Sequence, residues 1–146
     1  MTPIRRHGPD AAALGARIEA SLLADLRASL PQATNTGFVL TAGPDDALEG
    51  GLAASASYGW LLIKALWVAP ACRRTGLGRR LMARAEREGR ASGCHSAWLD
   101  TSNPAARDFY LALGFTQFGR LENPPGSAPQ DHRRWFLRKR LGAAAS

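Results

Sequence analysis

The chain has 146 residues, 45% of them hydrophobic, enough for one core and too few for two ordinary domains, so a single domain over residues 1–146 is expected. Its 19 basic residues against 12 acidic ones give a net charge of +7 and a pI near 10.7, which points to an anionic partner: nucleic acid, a membrane surface or a phosphorylated cofactor. No apolar run reaches transmembrane length, the N-terminus lacks an uninterrupted apolar h-region, and Cys72 and Cys94 form no CxxC. No membrane span, secretory leader, metal site or redox motif is therefore expected, and a reducing cytoplasm fits best.

In chain order, Asp10 is the expected N-cap of a helix carrying Leu14, Ile18, Leu22, Leu26 and Leu30 at spacing four, closed by Pro31 and expected to lie on a sheet. Three β-like runs follow at residues 37–42, 47–57 and 60–68, separated by Gly43-Pro44-Asp45-Asp46 and by a tight Tyr58-Gly59 turn, which reads as an antiparallel meander. Gly50-Gly51 within the second run signals a bulge or, less simply, a close approach of substrate. A helix is expected from about Arg79 to Ser92, broken by Gly93, then a short strand over 95–102. Asn103-Pro104 reads as an N-cap and first helical residue, with Ala106, Phe109, Tyr110 and Leu113 on one face and Gly114 as the stop. Strands over 115–121 and 132–141, joined by the loop 123–131, close the fold; residues 1–8 and 142–146 are expected to be flexible ends. This order gives an α/β domain of the mixed, α+β kind: a central, mostly antiparallel twisted sheet flanked by helices.

Arg73-Arg74-Thr75-Gly76-Leu77-Gly78 sits between a strand and a helix, where unpaired backbone N–H groups at the helix start bind anions. The third glycine of GxGxxG would fall on Leu81, and no Gly-Lys-[Ser/Thr] is present, so neither a dinucleotide fingerprint nor a P-loop is offered. Cations at a helix N-terminus oppose its dipole, by roughly 0.3–1 kcal/mol each when exposed. Arg73, Arg74, Arg79 and Arg80 therefore suggest a missing anion; for Arg80 and Arg84 a solvated basic face explains the charge equally well.

With Leu66-Trp67-Val68 before it and the helix after it, this loop resembles the Arg/Gln-x-x-Gly-x-Gly/Ala signature of the GNAT N-acetyltransferase superfamily, filled by Arg73, Gly76 and Gly78. A second block, Asn103-Pro104-Ala105-Ala106-Arg107-Asp108-Phe109-Tyr110 with Leu113-Gly114-Phe115, resembles that superfamily's Asn-x-x-Ala-x-x-Phe-Tyr-x-x-x-Gly-Phe. The resemblance implies core strands that splay apart to admit the pantetheine arm of acetyl-CoA, which pairs with backbone at Leu66, Trp67 and Val68. It also implies that the residues Arg73, Arg74, Thr75, Gly76, Leu77, Gly78 and Arg79 grip the pyrophosphate, although the position of Arg74 is commonly glycine in the family. Pro124-Pro125-Gly126, His132-Arg133 and the segment 136–141 resemble short bacterial members, in which dimerisation through the last strands is common.

The implied activity is direct acetyl transfer to a primary amine of a small molecule or peptide. Tyr110 would protonate the departing thiolate and Asn103 would bind the cofactor arm or orient the site; on spacing alone, core packing and N-capping account for the same two residues. The strand leading into the loop, residues 60–66, offers only Lys64 and no carboxylate, so the general base is open among Asp100, Glu122 and His132, a water relay, or an amine arriving deprotonated. Trp60, Trp67, Trp98 and Trp135 fall in expected strands and read as core, with Trp60 the choice for an acceptor pocket. Two other readings compete. A CoA-binding protein without catalysis would keep the fold, and a nucleic-acid module would use Arg133, Arg134, Arg138, Lys139 and Arg140 interleaved with Trp135 and Phe136. Alternation on a half-buried closing strand explains those basic residues too, so no nucleic-acid or membrane partner is expected.

Overall fold

The computed structural model describes residues 1–30 and 35–142. Its contacts divide the chain into two units, residues 1–34 and 35–146. The first carries helix α1 (Ala12–Ser29), capped by Ala11 with no side-chain hydrogen bond. Asp10 misses the expected capping position because the chain turns just before it: the Ala11 N–H donates to Gly8 O at 3.2 Å and draws Asp10 into that turn. Pro31, the expected stop, lies outside the described residues.

The second unit contains β1 (Thr36–Ala42), β2 (Gly50–Ser57), β3 (Trp60–Val68), a 3-10 turn (Pro70–Cys72), α2 (Leu77–Ala91), β4 (Ser96–Thr101), α3 (Pro104–Ala112), β5 (Thr116–Glu122) and β6 (Arg133–Arg140). The strands form one sheet in the order β1-β2-β3-β4-β6-β5. β3 and β4 run parallel and all other neighbours antiparallel, so the meander and the mostly antiparallel sheet expected from the sequence are both present. Tyr58 (φ 52°) and Gly59 (φ 80°) are both left-handed, the conformation that suits the two-residue turn joining β2 to β3.

β2 and β3 slip register between Ala53 and Ala54, leaving Lys64 as the extra residue of a bulge. Gly50 and Gly51, where a bulge was expected, pair regularly with Val68 and Trp67. Crowding explains these glycines: a Cβ on Gly50 would stand 3.0 Å from Trp67 O and 3.1 Å from Leu77 Cδ2, and one on Gly51 3.1 Å from Leu40 O.

Leu77, Leu81, Met82, Ala85 and Gly89 bury the stripe of α2 that faces β2 and β3. Leu61, Met82, Leu99 and Leu137 are fully buried, each stabilising the fold by roughly 1.5–3 kcal/mol. On β6, Trp135 and Leu137 point into this core, and Lys139 on the same face reaches Glu86 of α2 at 2.7 Å. Contrary to the expectation that all four tryptophans are core, only Trp135 is buried; Trp60 and Trp98 are half-buried, and Trp67 is 49% exposed.

Candidate functional site

β3 and β4 are hydrogen-bonded only over Trp60↔Ser96, Leu61↔Ala97 and Leu62↔Trp98. From Ile63 onward the two strands part, and the β4-facing backbone of β3 is left without its sheet partner. The bulge at Lys64 lies just past the last pair, where extra twist helps turn β3 away.

A cleft of about 730 Å³ opens at the wide end of this gap. Leu66, Trp67 and Val68 form one wall, Arg73, Arg74, Gly76, Leu77, Gly78 and Arg79 the floor, and Asn103, Phe109 and Tyr110 the other wall. Every cofactor residue expected from the sequence lines it except Thr75, whose Oγ1 donates to Cys72 O at 2.6 Å and closes the loop from behind.

Local chemistry builds the floor. Gly76 caps α2 at φ 85°, so the helix begins two residues before the expected Arg79. The first helical N–H to find an intrahelical acceptor is that of Arg80, on Gly76 O at 3.0 Å, leaving those of Leu77, Gly78 and Arg79 aimed out of the helix end. No acidic residue stands in the first turn, and among the described residues no Asp or Glu lines the cleft. Three arginines and a helix N-terminus therefore converge without a compensating anion, the electrostatics of a phosphate site. Arg74, standing where glycine is common, takes up the glycine-like backbone at φ 63°. Arg73 Nε donates to Val68 O at 3.0 Å and ties the loop to the strand end. Arg80 faces another hollow along α2, and Arg84 pairs with Glu88 at 2.7 Å, so these two belong to the solvated face.

Asn103 Oδ1 accepts from the N–H groups of Ala105 (2.9 Å) and Ala106 (3.4 Å), capping α3 while lining the cleft. Tyr110 packs its ring edge-on against Phe109 (5.3 Å) and Phe115 (5.8 Å) and is 8% exposed. Among the described residues no fully buried side-chain polar atom lacks a partner, and the Tyr110 hydroxyl has none, so that hydroxyl reaches the cleft. Burial raises its pKa above the usual tyrosine value and keeps it a proton donor.

The remaining expected site residues do not line this cleft. Asp100 pairs with Arg134 at 3.6 Å, and Ser102 Oγ is hydrogen-bonded to His132 Nε2 at 3.0 Å and to Arg134 Nε at 3.5 Å, a polar cluster at the end of β4. Glu122 is held by Arg120 (3.1 Å) and Arg133 (3.0 Å) beside the loop to β6. Trp60 stands at the opposite, paired end of β3, edge-on to His95 at 5.6 Å. Sequence reasoning did not single out Phe109, Ser102 or Arg134 as site residues. Phe109 was legible beside Tyr110; Ser102 and Arg134 meet only through β4–β6 pairing.

Among the described residues no His/Cys/Asp/Glu cluster could hold a metal, and no helix is long and apolar enough to cross a membrane. Compared with known proteins, residues 15–115 match the model of the acetyltransferase (GNAT) family. An acetyltransferase of Agrobacterium fabrum is 42% identical over 77 residues, 53% of this chain and 56% of that protein. Blasticidin-S acetyltransferase of Streptomyces morookaense is 37% identical over 81 residues, 54% of this chain and 60% of that protein. The matches thus span little more than half the length of these curated relatives. The crystal structure of a candidate acetyltransferase from Agrobacterium tumefaciens superposes with a TM-score of 0.82 at 33% identity, covering 96% of this chain and 99% of that one.

Proposed function

The chain belongs to the GNAT acetyltransferase family, and from that premise we propose that it is an acetyl-CoA-dependent N-acetyltransferase acting directly on a primary amine of a small molecule or peptide. The observation that carries this reading is the cleft at the β3–β4 splay, where an arginine floor without acidic residues meets a wall carrying the Tyr110 hydroxyl. Bound acetyl-CoA would supply an activated thioester.

The N–H groups at the α2 start, with Arg73, Arg74 and Arg79, hold the pyrophosphate. Gap-facing backbone at Leu66 and Val68 orients the pantetheine arm, and Asn103, its Oδ1 committed to the cap, offers its amide N–H groups to the arm. As the amine nitrogen bonds to the acetyl carbon and the carbon–sulfur bond breaks, Tyr110 gives its proton to the sulfur. The proton lost by the amine passes toward the polar cluster of Asp100, Ser102, His132 and Arg134, or to solvent.

The relative named for blasticidin-S supports a small-molecule acceptor. Three of the five basic residues of β6 are ion-paired within the fold, Arg133 with Glu122, Arg134 with Asp100 and Lys139 with Glu86, which supports an enzyme over a nucleic-acid module. The test is release of CoA thiol from acetyl-CoA across an amine library, run beside calorimetric titration with CoA. Binding and turnover support the reading; binding without turnover of any amine leaves a CoA-binding protein, and no binding refutes both.

A further inference from the structure

Alternation along the strands separates two faces of the sheet. Leu61 and Ile63 of β3, Ala97 and Leu99 of β4, and Trp135 and Leu137 of β6 are buried on the face that α2 covers. The intervening residues Trp60, Trp98, Phe136 and Arg138 point the other way, and the β5 bulge between Gln117 and Gly119 turns Phe118 onto them. Together they wall an apolar hollow of about 400 Å³. Phe118 and Phe136 are 6.2 Å apart and tilted by 56°, and Phe118 remains 49% exposed. Large aromatic side chains gathered in an open hollow offer flat apolar walls against which a ligand ring can pack.

Its place in the fold gives the hollow a use. Trp98 pairs with Leu62 in the last hydrogen-bonded step before β3 and β4 separate, so the hollow lies at the closed end of the gap whose wide end is the donor cleft. Trp67, alternate to the buried face, lines that cleft from the same side as Trp60. Asp100 follows Trp98 on the same face of β4, about 7 Å further along at strand rise.

We propose that the hollow of Trp60, Trp98, Phe118 and Phe136 is the ring subsite of the acceptor, taking a planar aromatic or heteroaromatic group whose amino nitrogen lies toward Asp100 and the gap. The proposal rests on the acetyl-transfer reading above and narrows its acceptor. Ring faces and edges favour a flat π-system over an aliphatic one of similar size. The Arg138 guanidinium, 5.6 Å from the Phe118 ring, already occupies its cation-binding face and repels a second cation. A polyamine is thereby disfavoured, while a short linker spans the distance from ring to Asp100.

The test compares 2-phenylethylamine, 2-cyclohexylethylamine and spermidine as acceptors for the full chain, with Phe118→Ala as the variant, since so exposed a side chain can be truncated without opening the core. The phenyl amine should show the lowest KM, and Phe118→Ala should raise that KM about three- to tenfold with the KM for acetyl-CoA unmoved. Equal KM values for phenyl and cyclohexyl amines, a preference for spermidine, or an unchanged KM in Phe118→Ala overturns the proposal. If neither these amines nor any of the library is turned over, the acetyl-transfer reading falls, and calorimetric titration of the CoA-loaded chain with 2-phenylethylamine decides the hollow separately. Saturable binding weakened by Phe118→Ala supports it, and no binding overturns it.

Discussion

Arg74 combines two opposed effects, and three substitutions separate them. Its φ of 63° places an L-residue in the left-handed region, at a cost of roughly 1–2 kcal/mol. Arg74→Gly removes that cost while adding unfolded-chain entropy worth about 0.4–1 kcal/mol, so its stability should equal or exceed that of the parent by up to about 1.6 kcal/mol. Arg74→Ala keeps the strained backbone and should melt below Arg74→Gly by about 3–5 °C in a calorimetric scan. Both lose a cation from the cleft floor. An exposed charge pair at contact distance is worth about 1 kcal/mol, so CoA affinity should fall about fivefold in both, with a shallower dependence on salt. Arg74→Lys, which keeps charge and strain, should bind CoA within about twofold of the parent. Equal melting temperatures for the Gly and Ala variants would refute the strain argument, and CoA binding undiminished in both would refute the charge argument.

Tyr110→Phe should fold normally and bind CoA yet lose turnover by about 10²-fold or more, seen as a fall in kcat. Because burial raises the Tyr110 pKa, the folded chain holds its phenol proton at a pH where the unfolded chain has released it; stability should drop as pH rises above about 10, and the drop should shrink in Tyr110→Phe under denaturant titration. Gly76→Ala, forced to φ 85°, should lose about 1–2 kcal/mol of stability. Gly78→Ala should leave stability within about 1 kcal/mol but weaken CoA binding, since its new methyl enters the cleft 3.4 Å from Phe109 Cζ; unaltered CoA titration would exclude a close cofactor approach there. Lys139→Met deprives the buried Glu86 of its 2.7 Å partner and should cost about 2 kcal/mol, partial solvent access moderating the full buried-pair penalty. Adding Glu86→Gln should restore part of that loss in urea unfolding.

Local chemistry made much of this molecule legible in its sequence. Asn103 followed by Pro104 can cap and start a helix wherever it sits, and Gly76 can supply the left-handed cap of α2 without help from distant residues. The arginines around Gly76 and Gly78 signalled an anion because their charge opposes the helix dipole, a conflict written entirely in one short segment. Alternation located the strands, and chain order gave the meander. Tertiary pairing decided the rest. The bulge lies at Lys64, while Gly50 and Gly51 pair regularly and make room for Leu77 and the Leu40 backbone, a crowding that exists only once α2 and β1 are packed. Asp100, His132 and Glu122 look alike as candidates in the sequence. Strand pairing draws Asp100 toward Arg134 and His132 toward Ser102, and leaves Glu122 with other partners. Trp60 and Trp98, 38 positions apart in the chain, share a hollow with Phe118 and Phe136 only because β3, β4, β6 and β5 lie side by side. Residue type and short-range spacing determine caps, turns and strand periodicity through local sterics and hydrogen bonds; which side chains meet across the sheet depends on register, set by long-range packing that no single segment contains.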